Sequence, residues 1–160
     1  MADRNVEVAI AHWAPRMIQN GVDYNDFVRT TARIDTWADW LPEWNRTADE
    51  HVELALEAEN AGHTQTAGHA WRRASVDRHF GKFVWMLDRE LVAEATRRSV
   101  DEMRSAHRLL DPTAERLEFQ LDAQPVVANL RRPPGVERPP VVVVVPGLDS
   151  TKEEFFYFEQ

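Results

Sequence analysis

Five consecutive valines, at positions 141 to 145, constrain the fold of this chain more than any other part of its 160 residues. β-branched side chains favour a pleated backbone, and an uninterrupted apolar run favours a strand that is buried on both faces. Pro146 and Gly147 then end the strand, and the spacing of Ser150 and Glu153 is typical of a helix start. The segment predicts the strand, turn and helix of an α/β unit, in which ligands bind at the carboxyl ends of strands.

The part of the chain before Pro112 carries apolar side chains at helical spacing. Gly21 and Gly62 are suited to end helices, Pro42 to open one, and Asp88 to cap the N-terminus of the last one. The stretch from about residue 23 to 41 reads as a broken helix. We therefore expect residues 1–112 to form one helical domain.

After Pro112 the period of the pattern changes from that of a helix to that of strands. Leu117, Phe119 and Leu121 alternate with polar residues, which predicts a half-buried strand, and residues 126–130 predict a second one. A loop with four prolines precedes the valines. Residues 113–160 thus predict the start of an α/β domain: hairpin, loop, buried strand, turn and helix start. Because a strand buried on both faces needs neighbours on both edges, we expect the chain to be the front part of a longer protein.

Composition excludes several classes of function. The 27 acidic and 19 basic side chains give a net charge of −8, which argues against a nucleic-acid partner. The absence of cysteine excludes disulfides and thiolate metal sites. A run of five apolar residues is far shorter than the ~20 that span a bilayer, and the N-terminus lacks a secretory signal. We expect a cytoplasmic protein with no membrane partner.

Four strings of residues together resemble one protein family: Pro146-Gly-Leu-Asp-Ser-Thr-Lys-Glu-Glu154 after the valines, Ala58-Glu-Asn-Ala-Gly-His63, Trp71-Arg-Arg-Ala74 and His79-Phe-Gly-Lys-Phe83. They resemble the α/β-hydrolases related to 2,6-dihydroxypseudooxynicotine hydrolase, a group that includes fungal polyketide chain-shortening hydrolases and FrsA-like esterases. The resemblance covers about residues 45 to 160. It implies an α/β fold in which an N-terminal α-helical cap domain precedes the first strands of an incomplete α/β-hydrolase sheet.

The resemblance implies a serine-type hydrolase that cleaves a carbon–carbon or ester bond next to a carbonyl. In such enzymes a serine attacks the carbonyl, a histidine moves the proton, an acid orients the histidine, and backbone N–H groups hold the oxyanion. By position, the N–H of Leu148 is the expected oxyanion donor, with that of Asp149 next. The expected substrate is a small carbonyl compound, with aromatic ones as candidates. No cofactor is expected, and a homodimer is one of the oligomeric states left open.

The chain departs from the family because it contains no Gly-x-Ser-x-Gly nucleophile motif. Ser75, Ser99 and Ser105 fall in predicted helices, and Ser150 has the position of a helix cap. The catalytic serine, acid and histidine would therefore lie beyond Gln160. We expect the 160-residue chain to be inactive as a hydrolase by itself.

Three side chains of the helical part are candidates for contact with substrate. His79 lies in the family-like string, and Trp37 and Trp40 could form an aromatic wall over a flat ligand. Core packing among helices is the alternative for the tryptophans. The six histidines form no His-x-x-x-His or His-Glu-x-x-His pair, so no metal site is expected.

Two other functions remain open at this level. The helix pair joined by Ala58–His63 has a tetratricopeptide-like character, so the chain could be a stand-alone helical interaction module. That interpretation needs at least three repeats, and the sequence shows no second copy. A third reading is a regulatory remnant that docks on a full-length relative through its unpaired strand.

Overall fold

The computed structural model describes residues 3–111, 113–133, 135–147 and 150–157, with the backbone alone at positions 156 and 157. The described elements are α1 (Arg4–Gln19), α2 (Tyr24–Thr31), a 3₁₀ turn (Trp37–Asp39), α3 (Trp40–Asn60), α4 (Thr64–Lys82), α5 (Arg89–Leu110), β1 (Glu115–Leu121), β2 (Gln124–Leu130) and a C-terminal 3₁₀ helix (Lys152–Tyr157). The predicted order of a helical region followed by a hairpin is confirmed.

Helix boundaries follow the signals in the sequence. The carboxylate of Asp88 accepts hydrogen bonds from the backbone N–H groups of Glu90 and Leu91, as an N-cap residue does. Gly62 follows α3 with φ +75°, a conformation that costs glycine little. The predicted break before Pro42 is also present, because α2 ends at Thr31 and Pro42 lies in the first turn of α3.

The core lies among the helices, and α4 is its centre, packed between α3 and α5. The large side chains of the core are almost completely buried; they are Met17, Trp40, Leu41, Trp44, Phe80 and Met103. Helices α3 and α4 approach closely at Gly81, where an added Cβ would lie 2.7 Å from the Cβ of Trp44. None of the described helices carries an apolar stretch long enough to cross a membrane.

A buried ion pair joins α4 to α5. Arg78 is fully buried and its guanidinium donates to both carboxylate oxygens of Glu102, at 2.9 and 3.0 Å from Nε. Nη2 of Arg78 also donates to Asp49 of α3 at 2.8 Å. Burial raises the pKa of Glu102, while Arg78 opposes that rise. Both buried charges thus have an oppositely charged hydrogen-bond partner, which offsets the cost of removing them from water.

The strands β1 and β2 form an antiparallel hairpin, with Phe119 opposite Val126. The turn consists of Asp122 and Ala123, which have φ of 49° and 62° and therefore form a tight two-residue connection. The second strand was predicted over residues 126–130, and β2 begins two residues earlier, at Gln124. The apolar face of β1 was expected to be half-buried, but Phe119 is 47% exposed. In the described residues no second layer covers this face.

The valine run does not form the predicted buried strand. Residues 141–147 have no regular secondary structure, and the side chains of Val141 and Val142 are 81% and 83% exposed. A strand needs partners for its backbone groups and cover for its side chains. The described residues offer neither, since their sheet consists of β1 and β2. The prediction of a buried strand was wrong for this chain, because five consecutive valines favour a strand but do not themselves provide the neighbouring strands and helices that would bury it.

Candidate functional site

The C-terminal segment, residues 150–157, docks on the helical domain through buried charges. Glu154 is 4% exposed and lies between α1 and α4. Nη2 of Arg16 donates to its two carboxylate oxygens at 3.2 and 3.0 Å. Nε2 of His79 lies 2.8 Å from Oε1 of the same carboxylate. One glutamate thus links the C-terminal segment to two helices.

Ser150 and Thr151 add further contacts to the same two helices. Nη2 of Arg16 donates to Oγ of Ser150 at 2.8 Å, and Oγ1 of Thr151 lies 3.4 Å from Nδ1 of His79. Ser150 was predicted to cap a helix in a pair with Glu153. In the structure it is Thr151 whose backbone N–H donates to Glu154, at 3.3 Å, so the pairing is shifted by one residue.

Burial and charge set the protonation of this cluster. Burial lowers the pKa of His79, although Glu154 opposes the shift, so the imidazole is neutral near pH 7. Burial also lowers the pKa of Lys82, whose Nζ lies 3.1 Å from Nδ1 of His79. Burial would raise the pKa of Glu154, but His79 and Arg16 outweigh it and lower that pKa below its usual value. Glu154 is therefore a carboxylate at neutral pH.

Aromatic rings flank the same arginine. The guanidinium carbon of Arg16 lies 4.6 Å from the ring centre of Phe83, within the range of a cation–π contact. The ring of Trp13 meets Phe83 edge-on at 4.7 Å between centroids. Trp13 also lines a groove of about 400 Å³ with Trp37, so this groove lies beside the charged cluster.

The three residues expected to contact substrate occupy different environments. His79 is 3% exposed and contacts the docked segment. Trp40 is 1% exposed, and its Nε1 donates to the carbonyl of Phe80 at 3.2 Å, so it packs the core and has no open surface for a ligand. Trp37 is partly buried and faces the groove. Of the predicted aromatic wall, Trp37 is the member with access to a cavity.

Leu148 and Asp149, the predicted oxyanion donors, lie outside the described residues. The residues on either side of them are in contact, because the backbone N–H of Ser150 donates to the carbonyl of Gly147 at 3.2 Å. A cleft of about 370 Å³ lies between α5, β2 and the C-terminal segment, with Val144, Pro146 and Thr151 in its wall.

Sequence reasoning missed Arg16 and Glu154. They are 138 positions apart, and although Glu154 ends the family-like string that begins at Pro146, no pattern in a single sequence pairs it with Arg16. The only local signal is that Arg16 lies in the last turn of α1, where a basic side chain is favourable in any helix. The contact became visible only from the fold.

No protein-family model matches the chain. A curated relative, the 2,6-dihydropseudooxynicotine hydrolase of Paenarthrobacter nicotinovorans, is 34% identical over 155 residues, which are 96% of this chain and 41% of the relative. The crystal structure of the 2,6-dihydroxy-pseudo-oxynicotine hydrolase is similar with a TM-score of 0.75 and 33% identity, over 88% of this chain and 39% of that one. The chain spans about two fifths of the length of these relatives.

The fold and the comparisons together define a helical domain with a two-stranded sheet that matches part of a hydrolase. The chain is a homologue of 2,6-dihydroxypseudooxynicotine hydrolase, and the resemblance predicted from its sequence is confirmed. The similarity extends over more of the chain than the expected residues 45 to 160, since it includes 155 of the 160 positions.

Proposed function

We propose that this chain is the helical cap and leading segment of a serine-type hydrolase, and that α1 and α4 hold its oxyanion loop in place. The observation that carries the proposal is the contact of one buried carboxylate, Glu154, with both Arg16 and His79. Glu154 follows Leu148 by six positions. The backbone N–H of Leu148, with that of Asp149 next, is the proposed donor to the oxyanion.

An oxyanion hole works because its donors are fixed before the charge develops. A loop whose end is free loses part of that advantage, since its donors must be ordered during the reaction. Ser150 and Glu154 are bonded to the same guanidinium, that of Arg16. The helical domain thereby supplies the rigid support from which Gly147 and its neighbours can present N–H groups.

The nucleophile is proposed to come from outside these 160 residues. Oγ of Ser75 donates to the carbonyl of Ser99 at 2.7 Å, Oγ of Ser99 donates to the carbonyl of Ser75 at 2.9 Å, and both are buried. Ser150 accepts from Arg16. None of these three hydroxyls has a histidine base with the geometry of a catalytic pair, so each has a structural role.

The proposed substrate is a small carbonyl compound that is hydrolysed at a carbon–carbon or ester bond. The groove lined by Trp13 and Trp37 suits a flat apolar group, because aromatic walls favour such ligands. It is connected through Phe83 to the cluster that holds the C-terminal segment. Both relatives are named as hydrolases of a pseudooxynicotine derivative, which makes that class of compound the first to test.

The first experiment assays the purified 160-residue chain with p-nitrophenyl esters and a fluorophosphonate probe. We expect neither turnover nor labelling. Steady ester turnover that Leu148→Pro abolishes would contradict the proposal. The second experiment expresses the uninterrupted reading frame that contains the chain. We expect it to encode a Gly-x-Ser-x-Gly motif and to give an active, labelled protein.

In that active protein, Arg16→Met tests the support of the loop. Methionine keeps most of the contact with Phe83 but removes the bonds to Ser150 and Glu154. We expect kcat to fall roughly tenfold or more with KM little changed, because the change acts on the donors rather than on substrate binding. Arg46→Met is the matched control, since that side chain is 63% exposed. Equal kcat in both variants would remove the proposed role of Arg16.

A further inference from the structure

Three helices of the domain bring two carboxylates and an imidazole together in the interior. Asp26 of α2, His51 of α3 and Asp77 of α4 are 7%, 7% and 1% exposed. Nε2 of His51 lies 2.7 Å from Oδ2 of Asp26 and 3.6 Å from Oδ2 of Asp77. One possible ligand atom from each residue lies within 4.8 Å of the other two. This cluster is separate from the one around Glu154.

Asp77 is the unusual member of the cluster. Both of its carboxylate oxygens are buried and have no hydrogen-bond partner among the described residues. A buried carboxylate without partners is costly, because it has lost water and gained nothing in exchange. Its Oδ2 points to the same nitrogen of His51 that contacts Asp26. Both oxygens of Asp77 are therefore available as ligand atoms, and one of them faces the nitrogen of His51.

We propose that Asp26, His51 and Asp77 bind a divalent transition-metal ion of the zinc type. One imidazole nitrogen and two carboxylate oxygens are a ligand set that such ions accept, with a water in the fourth position. Ligand atoms about 2.1 Å from a tetrahedral ion lie roughly 3.4 Å apart. The observed separations of 2.7 and 3.6 Å from Nε2 fall on either side of that value, so small side-chain rotations suffice.

The surroundings of the cluster support the assignment. Nε of Arg29 donates to Oδ1 of Asp26 at 3.0 Å, which orients that carboxylate and leaves Oδ2 directed to the site. Burial raises the pKa of Asp77 well above its usual value, and Asp26 and Asp23 add to the shift while Arg29 and Arg73 oppose it. A dication binds the carboxylate form of Asp77 and therefore competes with protons for it, so binding should release protons and strengthen as pH rises.

The proposed metal site is structurally separate from the proposed support of the oxyanion loop. It would tie α2 to the α3 and α4 pair within the helical domain, and it contains none of the residues that contact the C-terminal segment. No metal was expected from the sequence, because these ligands are 25 and 26 positions apart and no ligand-spacing motif joins them.

The experiment uses the 160-residue chain after treatment with a chelator. Zn²⁺ binding is measured by titration calorimetry in two buffers of different protonation enthalpy, and by thermal unfolding with and without the ion. We expect one ion per chain, proton release, and a rise in Tm on binding. Asp77→Asn and His51→Gln should each weaken Zn²⁺ binding at least roughly tenfold. Removing a residue that only hydrogen-bonds to a metal ligand already has an effect of that size, and these two substitutions change ligands themselves.

Asp77→Asn should still fold, because asparagine has nearly the same shape as aspartate and carries no charge that would have to be buried. Loss of binding in this variant therefore reports on the ligand and not on unfolding. His69→Gln is the matched control, since His69 is exposed. Co²⁺ provides a second probe, with an intense visible spectrum expected for tetrahedral coordination. No Tm rise and no binding in the unsubstituted chain, or binding that survives equally in Asp77→Asn and the control, would overturn the proposal.

Discussion

Apolar side chains are buried in the helical body, residues 3–111, but largely exposed in the part of the chain that follows it. In the body, Trp44 and Phe80 are fully buried, and every helix contributes to one core. In the following part, Phe119 is 47% exposed and Val143 is 78% exposed. The second set is as apolar as the first. What differs is the presence of a second layer, because burial requires a surface to pack against.

The two regions also differ in how they are attached. Within the body, helices α3, α4 and α5 hold each other through interlocked side chains and the Arg78–Glu102 pair. The C-terminal segment is attached through polar contacts around Glu154. A segment held by a few polar contacts has a fixed position but can open without unfolding the helical body, which is compatible with the proposed support of an oxyanion loop.

The largest expected effect comes from emptying the core of the body. Phe80→Ala removes a fully buried ring from α4 and should lower the free energy of unfolding by about 3–5 kcal/mol. Val143→Ala, a truncation at an exposed site, should change it by less than about 0.5 kcal/mol. Chemical denaturation of the two variants measures both values. Similar losses would mean that the valines are buried in solution and that the contrast between the regions is false.

A smaller but still large effect is expected at the buried ion pair. Arg78→Met leaves Glu102 inside the protein without its partner and should cost about 3 kcal/mol. Adding Glu102→Leu removes the stranded carboxylate and should recover most of that loss. Denaturation of the single and double variants measures the coupling. If the double variant is no more stable than the single one, the pair contributes by packing and not by charge compensation.

The attachment of the C-terminal segment should respond to a change that leaves the body intact. Arg16→Met removes a charged donor from the buried Glu154 and should weaken docking by about 1–2 kcal/mol. Hydrogen exchange of residues 150–157 should accelerate, while exchange in α4 should remain slow. Equal acceleration in both would show that the segment and the body open as one unit.

The smallest expected effect is a pH dependence of that docking. The pKa of His79 is lowered by burial, and the pKa of Glu154 is lowered chiefly by His79 against burial. A group whose folded pKa is depressed contributes stability above its unfolded pKa and loses it as pH falls through the folded value. Both groups therefore act in the same direction: docking is full above about pH 6.5, the usual value for histidine, and weakens in acid.

Exchange of the C-terminal segment at pH 7 and pH 5 measures this effect. His79→Gln should flatten the part of the profile below pH 6.5, while the control His12→Gln, at an exposed position of α1, should leave it unchanged. A profile that is flat in the unsubstituted chain would exclude titration of the cluster as a contributor to docking.

Much of the local structure was predictable because its causes are local. The cap at Asp88 and the turn at Gly62 depend on the residue itself and its near neighbours. The hairpin follows from the alternation of apolar and polar residues at positions 117–121 and from the short strand pattern at residues 126–130. The resemblance to the hydrolase was also predictable, because a string of residues such as Pro146 to Glu154 can be recognised in the sequence alone, without knowing which residues are in contact.

The tertiary contacts were not predictable in the same way. The valine pattern indicated a strand, but whether a strand forms depends on partners that a pattern does not contain. The sequence left both a ligand contact and core packing open for Trp40, and the packing of α3 on α4 buries it in the core. Arg16 and Glu154 meet only because the chain returns to α1 after 138 positions.

The sequence by itself determined the succession of helices and the hairpin, several helix ends and the kinship with a hydrolase, since these depend on neighbouring residues and on short strings of residues. Only the tertiary structure decided which apolar residues are buried, which charges meet around Glu154, and that Asp26, His51 and Asp77 share one interior site. The physical reason is that burial and charge pairing are properties of packed surfaces, and packing joins residues that lie far apart in the chain.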